Sequence, residues 1–161
     1  MTDTADSRRV PMPFEEKSAW AVVASTVLVW GAYFSAAVAL PAPPDVKPFP
    51  LFFFFIGAVV AQVVILVVAH IAFAIRAAPG PTDERDRLIE LKADRNGDWV
   101  LSVGTMCVAL VLIWGGTFNA LPFPPWSMPA PYVFGNLLVL LFVLAEIVKR
   151  LLQIAYYRRG A

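Results

Sequence analysis

The sequence predicts an all-α membrane protein, with four transmembrane helices arranged as two tandem hairpins of the same orientation. A charged cytoplasmic helix joins the hairpins. Three observations carry this expectation. The chain is 59 % hydrophobic and 16 % charged, with a mean hydropathy of +0.69, whereas a soluble domain carries about 25 % charged residues. Its apolar residues fall into four runs, at 18–40, 51–75, 99–118 and 132–152, each near the roughly 20 residues that cross a bilayer. The charged residues are strongly one-sided. Of the 13 Lys and Arg, Lys47 alone falls in the crossings after the first and third runs. The other twelve flank the opposite ends, so the positive-inside rule makes both termini and the 76–98 segment cytoplasmic.

Residues 1–17 are polar, of mixed charge, and contain Pro11 and Pro13. They read as a short cytoplasmic tail, followed by a single four-helix domain over 18–161. Ala37-Val38-Ala39 resembles a signal-peptidase site. The run before it exceeds the 7–15 residues of a signal-peptide core, so it is expected to remain as a span. The crossings PAPPDVKPFP and LPFPPWSMPAP are dense in proline and aromatics. Proline suits stiff, extended connections without helix hydrogen bonds. Phe123, Trp126 and Tyr132 fit an interfacial aromatic belt.

Between the second and third runs, Pro79-Gly80-Pro81 forbids helix. Thr82 is a good N-cap, and Asp83 and Glu84 suit the positive end of a helix dipole. Asn96-Gly97 signals a turn or C-cap, although a continuous helix with a weak point is compatible with it. At helical spacing Asp83, Asp86, Glu90 and Asp94 form an acidic stripe. Arg85, Lys92 and Arg95 lie on the other side, among Leu88, Ile89 and Leu91. The basic, apolar side suits anionic headgroups, and the acidic side then points into water. Three roles follow for this segment. It is a solvated connector held by pairs such as Asp83–Arg87, or a docking surface for a cytosolic partner, or a divalent-cation site. Acids along one helix face make a poor cage, and no metal site is expected.

The halves of the chain echo each other. Trp30-Gly31-Ala-Tyr-Phe34 matches Trp114-Gly115-Gly-Thr-Phe118, and each precedes a proline-rich crossing. Ala69-His70-Ile71 sits where Ala145-Glu146-Ile147 sits, and a basic cluster follows both. Parallel repeats of this kind are related by an axis along the membrane normal. Small residues within the spans, Gly31, Gly57, Gly104, Gly115, Gly116 and Gly135 among them, allow close helix approach.

Three polar side chains stand inside the expected spans: Gln62 at mid-span, and His70 and Glu146 nearer the cytoplasmic end. Ionisable groups there are costly and form a functional hypothesis. Lys149 and Arg150 follow Glu146 at i+3 and i+4 and can neutralise it. The alternative is a His70–Glu146 pair that carries a proton or senses pH. Cys107 is the single cysteine, so no intramolecular disulfide or thiol pair forms. One histidine excludes bis-histidine haem ligation within the chain. No cofactor is expected. Nor is an enzyme, because no nucleophile–base set, metal cluster or phosphate loop is present. The positive charges are dispersed among acids, so direct nucleic-acid binding is not expected.

The block Asp83-Glu84-Arg85-Asp86, continuing through Ile89-Glu90-Leu91-Lys92-Ala93-Asp94-Arg95 between two hydrophobic hairpins, resembles small prokaryotic four-helix membrane proteins of a domain-of-unknown-function family. The ending Glu146, Lys149, Gln153 and Tyr157-Arg158-Arg159-Gly160 is similar to theirs. The resemblance spans roughly residues 20–160 and implies a bacterial inner-membrane protein. Neighbouring helix-turn-helix regulators, thought to accompany some members, imply a signalling role. No catalytic positions are implied.

The expected function is binding, regulation or scaffolding through the cytoplasmic segment, with the bilayer and a cytosolic or membrane protein as partners. A homodimer is a further expected assembly. Two alternatives stand beside it. One is a small transporter or immunity-type protein using His70 and Glu146. The other is an accessory subunit of a larger membrane complex.

Overall fold

The computed structural model of the chain describes residues 14–39, 49–76, 84–118 and 130–159. These form four α-helices. They are α1 (Phe14–Ala39), α2 (Phe49–Arg76), α3 (Glu84–Phe118) and α4 (Ala130–Arg159). Most of both proline-rich crossings (residues 41–48 and 121–129), the N-terminal tail to residue 13, Thr82 and Asp83 lie outside the described residues. Three helices are long and apolar enough to cross a membrane, over Phe14–Ala39, Leu51–Ile75 and Glu84–Gly115. Local sequence explains the helix ends. Pro50 stands in the first turn of α2, where a missing N–H breaks no bond. Glu15 and Glu16 open α1, Glu84 and Asp86 open α3, and Arg158 and Arg159 close α4. Each charge has the sign that its helix dipole favours.

The helices contact one another in the order α2, α1, α4, α3. Helix α1 is central. It buries Ala19, Val22, Val23, Val29, Tyr33 and Ala37 between its two neighbours. Toward the C-terminal end of α1, Val29, Tyr33, Ala37, Leu51 and Ala58 form the larger core cluster, with Trp30, Phe34, Phe55 and Tyr132 packed on it. Trp30 meets Tyr33 edge-on at 5.6 Å between ring centroids. A second cluster, Ala19, Val23 and Ile154, closes the other end. Among the described residues α2 makes no contact with α3 or α4. An axis relating α1–α2 to α3–α4 would match the α1·α4 interface with an α2·α3 one. That counterpart is absent, so the sequence echo does not extend to the packing.

The 76–98 segment is not a separate helix. Arg76 ends α2, and the rest of its described part is the first portion of α3, which runs unbroken for 35 residues, about 52 Å. Asn96-Gly97 does not cap it, because Gly97 serves a different need. A Cβ there would lie 3.1 Å from Lys149 Cβ and 3.3 Å from the Ala145 carbonyl oxygen. Seven residues on, a Cβ at Gly104 would reach 2.5 Å from Leu141 Cδ2. With Ile89, Ala93 and Val108, all buried, these glycines form a narrow seam that brings α3 close to α4. Such proximity matters because small residues let dispersion and hydrogen bonds act between the two helices.

Candidate functional site

Charged and polar side chains knit the helices together at one end. Arg158 Nε donates to Glu16 Oε1 at 3.0 Å, joining the C-terminal turns of α4 to the N-terminal turn of α1. Glu16 is buried, and the Arg158 guanidinium carbon stands 5.6 Å over the Trp20 ring. Lys149 Nζ lies 2.8 Å from Asp94 Oδ1, tying α4 to α3. Asn96 Nδ2 donates to the Tyr156 hydroxyl at 3.2 Å across the same seam. The segment that carries half of the acids is therefore docked on α4 and is not a loose connector.

A ladder of polar groups climbs α4 from this end. Arg150 Nε donates to Glu146 Oε1 at 2.7 Å, and Arg150 Nη1 donates to Gln153 Oε1 at 3.1 Å. Gln153, which is buried, hydrogen-bonds the Tyr157 phenol, which in turn bonds Asp86 of α3. Glu146, Arg150, Gln153 and Tyr157 follow at i, i+4, i+7 and i+11, one stripe of the helix. Burial pushes the Tyr157 phenol well above its ordinary value. The charge and hydrogen bond of Asp86, and the charge of Glu15, push the same way. The Gln153 hydrogen bond opposes them. The phenol that would lose a proton thus already faces the Asp86 carboxylate, and the other end of the ladder is the Glu146–Arg150 ion pair.

The sequence-predicted residues divide as follows. Asp83 lies outside the described residues. Asp86 and Asp94 are half-buried against α4, while Glu90 is exposed. Arg85, Lys92 and Arg95 are exposed, together with Leu88 and Leu91. Two of the three described acids are therefore engaged with α4, and the outward face carries four cations, Arg85, Arg87, Lys92 and Arg95, with Leu88 and Leu91, beside exposed Glu84, Glu90 and Asp98. The cause is specific pairing. Lys149 and Tyr157 offer Asp94 and Asp86 partners that water would otherwise supply. Lys149 consequently does not neutralise Glu146, and Arg150 does so without it.

Gln62 Nε2 donates to Ser25 Oγ at 3.1 Å and to Thr26 Oγ1 at 3.2 Å, which joins α2 to α1 at mid-helix. Its carbonyl Oε1 is buried without a hydrogen-bond partner among the described residues. His70 binds α1. Its Nδ1 lies 2.8 Å from the Leu66 carbonyl, which can only accept, so Nδ1 carries the proton. Nε2 lies 2.9 Å from the Ser18 hydroxyl. The structure does not bring His70 and Glu146 together, because their helices share no contact. Nor do they lie at one depth. Ser18 places His70 beside the Glu16–Arg158 end, while Glu146 is twelve residues from Arg158, about 18 Å further along α4.

Sequence reasoning missed Glu16, Asn96, Gln153, Tyr156, Tyr157 and Arg158 as structural partners. The 146–150–153–157 spacing is a signal that could have found the ladder. No comparable signal marks the Glu16–Arg158 contact, which closes over 142 residues. Among the described residues no three His, Cys, Asp or Glu side chains converge on a metal-sized site. Compared with models of protein families, with curated proteins and with solved structures, the chain matches none.

Proposed function

We propose that this chain is a four-span membrane protein that presents the first half of α3 as a rigid cytoplasmic platform for a protein partner. The observation that carries the proposal is the division of that helix. One face is fixed on α4 through Ile89, Ala93, Gly97 and the Asp94–Lys149 pair. The opposite face exposes Leu88, Leu91 and Trp99 among Arg85, Lys92 and Arg95, with Glu84 and Asp98 at its two ends. Exposed apolar residues bracketed by cations suit a partner helix with an acidic, apolar face. A free connector would pay the ordering entropy at binding, whereas a docked helix has its geometry set beforehand.

The topology in this proposal has α4 as the fourth span and the two neighbouring helix pairs as hairpins. Its support is the 30-residue length of α4 and its apolar stretch from Leu137 to Ala145. The inner membrane and cytoplasmic termini follow from the twelve cations on one side. Regulation or scaffolding fits such a platform, and the signalling role implied by the family resemblance is one form of it. Transport through His70 and Glu146 loses support from their separation. The accessory-subunit alternative keeps the exposed outer face of α2 as its surface.

The test is gentle-detergent purification from native membranes with mass spectrometry of co-purifying protein. Wild type is compared with the variant Leu88→Asp, Leu91→Asp, Lys92→Glu, Arg95→Glu. A stoichiometric partner lost in the variant supports the platform. A partner retained in full, or none in either sample, contradicts it.

A further inference from the structure

Beside the Glu16–Arg158 contact lies a groove of about 520 Å³ lined by Lys17, Trp20, Ala21, Ala24, Phe73 and Arg158. It is distinct from the α3 platform, since its lining comes from α1, α2 and α4. From its chemistry we infer that this groove binds the headgroup of an anionic phospholipid from the leaflet at the charged end.

Charge comes first. Lys17 has no hydrogen-bond or ion-pair partner among the described residues. Arg158 uses Nε for Glu16, and a guanidinium has further donors. Buried Glu16 offsets one positive charge and holds Arg158 over Trp20. Glu15 offsets a second, which leaves an excess of one positive charge among Glu15, Glu16, Lys17, Arg158 and the exposed Arg159. A phosphodiester is the group that two such cations recognise.

Shape comes second, and it argues for a lipid over a free phosphate. The groove continues upward as an exposed stripe of α1. Lys17, Trp20, Ala24, Val27, Leu28 and Gly31 share one face at helical spacing, and all are exposed. Nothing stands within 4 Å of where a Cβ at Gly31 would lie. Since α2 and α4 do not touch, they leave this face of α1 open. The stripe is cationic at its foot, aromatic at Trp20 and aliphatic above. That is the polarity profile of a phospholipid from headgroup to acyl chain.

The experiment is native mass spectrometry of the full chain in detergent, offered equal amounts of phosphatidylglycerol and phosphatidylcholine with identical acyl chains. The wild type is expected to retain phosphatidylglycerol preferentially. Lys17→Gln should cut that preference about fivefold, and Arg158→Gln by a similar factor. The variant Arg87→Gln removes an exposed cation of α3 outside the groove and should leave the preference unchanged. Millimolar glycerol phosphate should not displace the lipid. Far-UV circular dichroism checks folding. Should Arg158→Gln lose helix by releasing Glu16, Lys17→Gln decides, with Lys17→Arg expected to restore the preference. Equal retention of the two lipids overturns the inference. So does a Lys17→Gln protein that behaves as wild type, an equal loss in the α3 variant, or displacement by glycerol phosphate.

Discussion

Gly97 offers a sharp test of whether the charged segment is docked. Asn96-Gly97 reads locally as a turn, yet the structure places Gly97 inside a continuous helix against α4. The two situations give opposite orders for two substitutions. In the docked helix, Gly97→Ala puts a methyl 3.1 Å from Lys149 Cβ and 3.3 Å from the Ala145 carbonyl oxygen. The second neighbour is backbone, so the helices must part by a few tenths of an ångström. Against that small cost stands a helix-propensity gain of about 0.8–1.0 kcal/mol. Gly97→Ala should therefore lie within about 0.5 kcal/mol of wild type. Gly97→Leu adds three more carbons with nowhere to go. Overpacking costs about 1–3 kcal/mol, and separation also strains the Asp94–Lys149 pair. A net loss of about 2 kcal/mol is expected. A turn glycine in the left-handed region would behave otherwise. Alanine there would cost about 1 kcal/mol, and leucine about the same as alanine. The assay is equilibrium unfolding in mixed micelles followed by circular dichroism. Alanine and leucine variants equally destabilised, each by about 1 kcal/mol, would refute the docked helix.

Three further outcomes are expected. In a double-mutant cycle, Asp94→Asn and Lys149→Gln should show a coupling of about 1 kcal/mol, since both groups are partly solvated; no coupling would deny the pair. In spectrophotometric titration, Tyr157→Phe should remove one phenol that ionises later than an ordinary tyrosine. Because the folded-state value is raised, the associated stability is fully present below about pH 10 and is lost as pH rises toward the folded value. Alkaline unfolding should thus be shallower in Tyr157→Phe, and an unchanged pH dependence counts against the ladder. Gln62→Leu removes two hydrogen bonds but also the buried carbonyl Oε1 that lacks a partner. Its unfolding free energy should change by less than about 1 kcal/mol, and a larger loss would mean the carbonyl has a partner.

The helices were legible because hydropathy, proline and charge act locally. The runs at 18–40 and 51–75 coincide with α1 and α2 to within a few residues. Gly97 was not legible in the same way. A turn and a close helix contact both call for glycine, and only the position of Ala145 and Lys149 tells them apart. The acidic stripe was visible at 86, 90 and 94, but its direction depends on Lys149 and Tyr157, which are more than 50 residues away. The sequence echo suggested a shared depth for His70 and Glu146. Depth is set instead by Ser18 and Arg158, and no repeat encodes those contacts.

The most direct measurement is site-specific photo-crosslinking in native membranes. A photoreactive residue is placed in turn at Leu88, at Leu91, at buried Ala93 and at Val67 on the exposed face of α2. The same protein adduct is expected from positions 88 and 91, with none from 93 or 67. Lipid-only adducts at 88 and 91, or the same protein adduct from Val67, would contradict a partner platform on α3.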